Sequence, residues 1–127
     1  MIDEAADLAG LRILVVEDTL LVAEAICDFL EDCGSVVVGP AARLEAALVL
    51  ARDEQIDGAL LDVNLAGELS FPVAQALEAR QVPCVFLTGY GDNSLFPSEF
   101  HAKPRILKPF HYASLARTLA QQFAKPR

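Results

Sequence analysis

Five short apolar runs constrain this chain more than any other feature. They are Ile13 to Val16, Ser35 to Val38, Gly58 to Leu61, Val82 to Leu87 and Arg105 to Leu107. None alternates apolar with polar residues, the pattern of strands buried on both faces. Helical periodicity fills the intervals. In Leu20 to Asp32, Val22, Ile26, Phe29 and Leu30 share one face, and Gly34 follows as a stop. Leu44 to Arg52 is short and rich in Ala and Leu. Ser70 is placed to cap a helix with Pro72 in its first turn, running to about Gln81. Tyr112 to Phe123 carries Leu115, Leu119 and Phe123 at helical spacing. Gly91 to Pro104 holds Gly, Asp, Asn and two prolines, so one short or mobile helix is expected there. Strand and helix alternating in this way predict an α/β fold around a parallel sheet.

In such a sheet, ligands gather outside the carboxyl ends of the strands. The first run ends in Glu17-Asp18, the third in Asp62, the fourth in Thr88 and the fifth in Lys108. Each has a plainer role on its own. Asp18 or Thr19 caps a helix, Asp62 and Thr88 form turns, and Lys108 is a solvated strand end. All four plain roles holding together at one rim is a weak explanation. Three carboxylates, a hydroxyl and an amine on one rim make a divalent-metal and phosphoryl site. Two carboxylates about 4 Å apart repel by about 4 kcal/mol at an effective dielectric of about 20, a cost that a bound cation relieves.

Composition narrows the alternatives. At 127 residues and 54% hydrophobic, the chain suits one packed domain, expected to span 1–127. The net charge of −8 and the absence of a Lys/Arg cluster disfavour nucleic-acid binding. No apolar run is long enough for a transmembrane helix, and the acidic start lacks the basic region of a secretory signal. Cys27, Cys33 and Cys84 form no C-x-x-C and no even framework, which predicts buried free thiols in a reducing cytoplasm. His101 and His111 lack partners at zinc-site spacing and are expected at the surface.

Val15-Val16-Glu17-Asp18, Leu60-Leu61-Asp62-Val63-Asn64-Leu65, Leu87-Thr88-Gly89 and Lys108-Pro109-Phe110 occur in an order and spacing that resembles the receiver domain of two-component response regulators. The resemblance covers nearly the whole chain. It implies a flavodoxin-like, doubly wound five-stranded parallel sheet in order 2-1-3-4-5 with five flanking helices, the fourth short or mobile. It implies Asp62 as phosphoacceptor and Mg²⁺ held by Asp18, Asp62 and the backbone carbonyl of Asn64, with Glu17 close by or acting through water. Thr88 and Lys108 would contact phosphoryl oxygens, assisted by the amides of Asn64 and Gly89. The domain would catalyse only its own phosphorylation and dephosphorylation. Its partners would be a histidine kinase or phosphotransfer protein and a downstream protein target, reached without an output domain.

Two departures bear on signalling. Arg105 stands where many receivers place a switching Tyr or Phe, and Asn64 to Glu68 lacks the usual Pro. Pro83 to Gly91 resembles the P-F-x-F-A-T-G (FATGUY) subgroup, often found as stand-alone domains, although Cys84 and Leu87 deviate. Tyr90 and Arg105 are therefore the switch candidates, and together with Gly91 to Pro104 they are expected to form a phosphorylation-sensitive partner surface. Three other classes compete. A haloacid-dehalogenase-type phosphatase needs an Asp where Asn64 stands. A non-phosphorylated pseudo-receiver typically loses an acid or the lysine. A flavodoxin-like cofactor binder needs a phosphate-cradling loop where Glu17-Asp18 has the wrong charge. A receiver fragment of a larger regulator is a further alternative.

Overall fold

The computed structural model describes residues 4–89 and 92–124. Strands β1 (Arg12–Val16), β2 (Val36–Ala41), β3 (Gly58–Asp62), β6 (Cys84–Thr88) and β7 (Arg105–Leu107) form one sheet in the order β2-β1-β3-β6-β7. Every pairing is parallel. Counting only these strands, the order is the expected 2-1-3-4-5. Helices α1 (Glu4–Leu8), α2 (Leu20–Asp32), α3 (Leu44–Asp53), α4 (Phe71–Ala79) and α5 (Tyr112–Phe123) flank the sheet.

The lack of apolar–polar alternation now has its explanation. Leu14, Val16, Ala59, Leu61 and Phe86 face a layer built from Ala47 and Ala51 of α3 and Val73, Ala74 and Leu77 of α4. Their neighbours Ile13, Val15, Leu60, Val85 and Leu87 face the opposite layer, with Ile26 and Leu30 of α2 and Leu115, Leu119 and Phe123 of α5. Successive side chains on a strand point to opposite faces, so burial on both faces demands apolar residues throughout.

Some local expectations need correction. β2 does not stop at Val38 but runs through Gly39-Pro40, whose peptide is cis. It is an edge strand, where a missing N–H is tolerated. Gly39 has φ +98, and a Cβ there would lie 2.9 Å from the Ala41 amide nitrogen and 3.1 Å from the Val15 carbonyl. Helix α4 ends at Ala79 rather than near Gln81, because Gln81 has a left-handed φ of 60. Ser70 occupies its N-cap position, yet the buried Oγ makes no capping bond and has no partner.

Between β6 and β7, two 3₁₀ turns, Asp92–Leu95 and Ser98–Phe100, stand where one short helix was expected. Pro97 separates them. Phe96 and Phe100 anchor this segment, each packing against Phe71 and Phe86 with ring centroids 5.0–5.9 Å apart. The five α-helices therefore include α1, which the sequence did not predict. Leu8 of α1 is fully buried, and its carbonyl accepts a 2.8 Å bond from the Ser35 hydroxyl. Strands β4 (Asn64–Leu65) and β5 (Glu68–Leu69) add a small antiparallel hairpin. Cys27, Cys33 and Cys84 are free and buried, and His101 and His111 are exposed. Among the described residues, no helix is long and apolar enough to cross a membrane.

Candidate metal and phosphoryl site

Strand register assembles the site. Val16 pairs with Leu61, Asp62 with Leu87, and Thr88 with Leu107. Glu17, Asp62, Thr88 and Lys108 therefore emerge at the carboxyl rim from four adjacent strands. Glu17, Asp62 and Thr88 are all buried, whereas Asp18 and Lys108 are half-buried.

Glu17, Asp18 and Asp62 each bring a carboxylate oxygen within 4.8 Å of the others. Lys108 reaches into this cluster. Its Nζ donates to Glu17 Oε1 at 2.7 Å and lies 3.2 Å from Asp62 Oδ2. The backbone helps aim it, since the Lys108 amide donates to the Thr88 carbonyl at 2.8 Å. The other Glu17 oxygen accepts the Thr19 amide at 3.0 Å. Glu17 thus holds the residue that leads into α2, while Thr19 sits at the N-cap of α2 without a side-chain capping bond.

The electrostatics are unequal across the cluster. Burial pushes the Asp62 carboxyl up to about 8, reinforced by the adjacent Glu17 and only partly offset by Lys108. Burial also acts upward on Asp18. Hydrogen bonds with Glu17, Asp62 and the backbone at Asp18 and Ala66 outweigh it and hold that carboxyl below its ordinary value. Burial acts downward on Lys108, but Glu17 and Asp62 more than compensate and raise it. Burial and the crowding of these acids therefore favour a proton on Asp62 when no cation is bound, and a cation would relieve the same charge. Three carboxylate oxygens at this spacing suit a hard divalent ion such as Mg²⁺, which prefers oxygen ligands.

Asn64 is exposed in β4, two residues beyond Asp62. Its Oδ1 accepts the Gly67 amide at 2.7 Å and closes the β4–β5 hairpin. Ala66 and Gly67 at the tip have φ 52 and 97, the left-handed pair of a tight hairpin turn. The missing Pro is thus accompanied by a hairpin whose Ala66 amide supports Asp18. Asn-Leu-Ala-Gly was a weak signal for it, because Ala rarely occupies such a φ.

The switch candidates fare differently. Tyr90 lies outside the described residues. The Arg105 guanidinium lies 3.8 Å from the Phe96 ring centroid, and its Nη2 donates to the His101 carbonyl at 3.0 Å. Asp92 was not singled out from the sequence. Its Oδ2 accepts the Gly89 amide at 2.7 Å. An acid three residues beyond the glycine that follows β6 was the available signal.

A family model described as response regulator receiver domain matches residues 13–120. Sensory transduction protein LytT of Bacillus subtilis is 30% identical over 112 residues, covering 86% of this chain and 46% of LytT. The chain spans about half the length of the curated relatives it matches. SdrG from Sphingomonas melonis Fr1 is 45% identical, with a TM-score of 0.77 over 87% of this chain and 94% of SdrG. The receiver domain of sensor histidine kinase PA1611 from Pseudomonas aeruginosa PAO1 was solved with a magnesium ion coordinated in its active site cleft. It is 26% identical, with a TM-score of 0.78 over 92% of this chain and all of that domain (100%). Sheet order, rim geometry and these likenesses agree: the chain belongs to the response regulator receiver domain family.

Proposed function

We propose that Asp62 accepts a phosphoryl group from a histidine kinase or phosphotransfer protein, in a Mg²⁺-dependent reaction, and that the domain signals through protein contacts or relays the phosphate onward in the cytoplasm. The observation that carries this reading is Asp62 itself, buried at the end of β3 among two further acids with Lys108 Nζ 3.2 Å from its Oδ2. Asp18, Asp62 and the Asn64 carbonyl would hold the metal, with Glu17 beside it or bridged by water. When bound, Mg²⁺ supplies the positive charge that neutralises the crowded oxygens. Magnesium in the cleft of the PA1611 receiver domain supports the assignment.

A deprotonated Asp62 oxygen attacks phosphorus. The new O–P bond forms as the donor's N–P or O–P bond breaks, and the leaving group takes the electron pair. Lys108 and Thr88 stabilise the phosphoryl oxygens, because such a transfer needs positioning and charge neutralisation more than covalent help. Water later attacks the aspartyl phosphate and restores Asp62, so the domain turns over only its own phosphate. Asn64 stands where a haloacid-dehalogenase-type phosphatase needs a general acid, and a carboxamide does not titrate; its Oδ1 instead accepts the Gly67 amide. A groove of about 410 Å³ lined by Leu21, Val22, Lys108, Phe110 and Tyr112 lies beside the lysine and suits a protein donor. Tyr90 and Arg105, with the 3₁₀ segment, are the proposed route by which the signal leaves.

Intact-mass spectrometry after incubation with Mg²⁺ and acetyl phosphate tests this reading. One base-labile phosphoryl group is expected on the wild type and none on Asp62→Asn. An adduct persisting unchanged in Asp62→Asn would move the phosphoacceptor elsewhere.

A further inference from the structure

We propose that Asp92 is an internal latch that holds the resting state by occupying the Gly89 amide, and that a phosphoryl group on Asp62 works by displacing it. The idea rests on the phosphoacceptor reading above and adds a residue that the reading does not use.

Gly89 directly follows Thr88 at the rim. Its N–H donates to Asp92 Oδ2 at 2.7 Å, and the Asp92 N–H returns a 3.2 Å bond to the Gly89 carbonyl. Gly89 and Asp92 are therefore joined by two hydrogen bonds. An amide carries a single hydrogen, so the Gly89 N–H can serve Asp92 and a phosphoryl oxygen together only as two weaker, shared bonds. A strand spacing of about 4.8 Å and a rise of about 3.3 Å per residue put the Gly89 backbone roughly 8 Å from that of Asp62. A phosphoryl group would bring about two negative charges into that neighbourhood, close to the Asp92 carboxylate. Repulsion between the two anions and competition for one donor act in the same direction.

The consequence reaches beyond the rim. Asp92 opens the 3₁₀ turn Asp92–Leu95, whose Leu95 is exposed. The next residue, Phe96, is buried among Phe71 and Phe86 beneath the Arg105 guanidinium. Losing the latch frees the turn up to that aromatic anchor and no further. The chain thus has a two-position element whose resting position is set by an anion of its own.

Beryllofluoride titration in Mg²⁺, followed by backbone amide shifts, tests the latch in wild type, Asp92→Ala and Asp92→Asn. Removing the competing anion should lower the half-saturating beryllofluoride concentration roughly tenfold in Asp92→Ala. Asp92→Asn keeps an acceptor without the charge and should fall between the two. A residue that merely braces the turn would leave the titration unchanged or weaken it. Variants that saturate no earlier than a responsive wild type overturn the latch and leave the phosphoacceptor reading intact. A wild type that does not respond, in agreement with Asp62→Asn, overturns both.

Discussion

Replacing Asp62 with Asn should stabilise the metal-free domain, and the gain should grow with pH. Two unit charges 4.8 Å apart, the outer limit of the spacing within the acid cluster, repel by about 3.5 kcal/mol at an effective dielectric of about 20. Burial adds to that cost and Lys108 removes part of it. The balance raises the Asp62 carboxyl from an ordinary 3.8 to about 8. Between those values the folded state holds close to one more proton than the unfolded chain. Stability must therefore fall as pH rises, by up to about 1.4 kcal/mol per pH unit. The contribution is flat below the ordinary value and flat again above about 8. Asn keeps the shape and cannot titrate, so it lacks this slope. Urea unfolding in EDTA from pH 4.5 to 8.5 should show the Asp62→Asn advantage widening by about 2–4 kcal/mol across the range. In thermal melts this corresponds to roughly 6–12 °C. A mutant-minus-wild-type difference that stays constant with pH would refute the reasoning, because it would mean that Asp62 is ionised in both states.

The remaining expectations concern metal, clamp and packing. Mg²⁺ at ten times its Kd should stabilise the wild type by about 1.4 kcal/mol, and Asp18→Ala should lose most of that gain; melts indifferent to Mg²⁺, Ca²⁺ and Mn²⁺ would remove the metal site. Arg105→Ala forfeits the contact with Phe96 and the bond to the His101 carbonyl. It should cost about 1–2 kcal/mol and raise hydrogen exchange around Phe96 and Phe100, where unchanged protection would count against a clamp. Gly58→Ala would place a Cβ 2.5 Å from the Phe123 ring, so chemical unfolding should report a loss of about 1–3 kcal/mol.

The sheet and its rim were legible because burial on both faces leaves a plain trace, and because parallel strands bring their ends to one side. Glu17, Asp18, Asp62, Thr88 and Lys108 could be gathered from that logic alone. Their division of labour could not. Which adjacent acid turns inward depends on the strand's pleat and on the start of α2, and the structure buries Glu17 between Lys108 and the Thr19 amide while Asp18 stays half exposed. β2 was cut short because Gly39-Pro40 reads as a turn, although an edge strand can absorb it. Helix α1 has only five residues, too few for any periodicity. The 3₁₀ turns escape a search for α-helical spacing altogether. Asp92 was missed because an acid three residues beyond a glycine is too common a spacing to mark a hydrogen bond to a backbone amide.

Rigid and compliant parts of the site are held by different means, and that division sets how a signal can leave it. Asp62 and Thr88 end strands packed in both layers, and Val16, which precedes Glu17, is fully buried. Moving any of these anchors would open a close-packed core, whose disruption costs several kcal/mol. The connections beyond them are held far more lightly. Asn64 ties one through its bond to the Gly67 amide within the short β4–β5 pairing, and Asp92 ties itself to Gly89 through its carboxylate and its amide. A hydrogen bond of this kind contributes roughly 1–3 kcal/mol. A phosphoryl charge at Asp62, as proposed above, would command an energy of that size and not the larger one. The strands therefore hold the chemistry in place while the capped connections yield. Of Asn64 and Asp92, only Asp92 carries a negative charge, so on the proposed phosphorylation of Asp62 it is the contact that the phosphoryl group would repel.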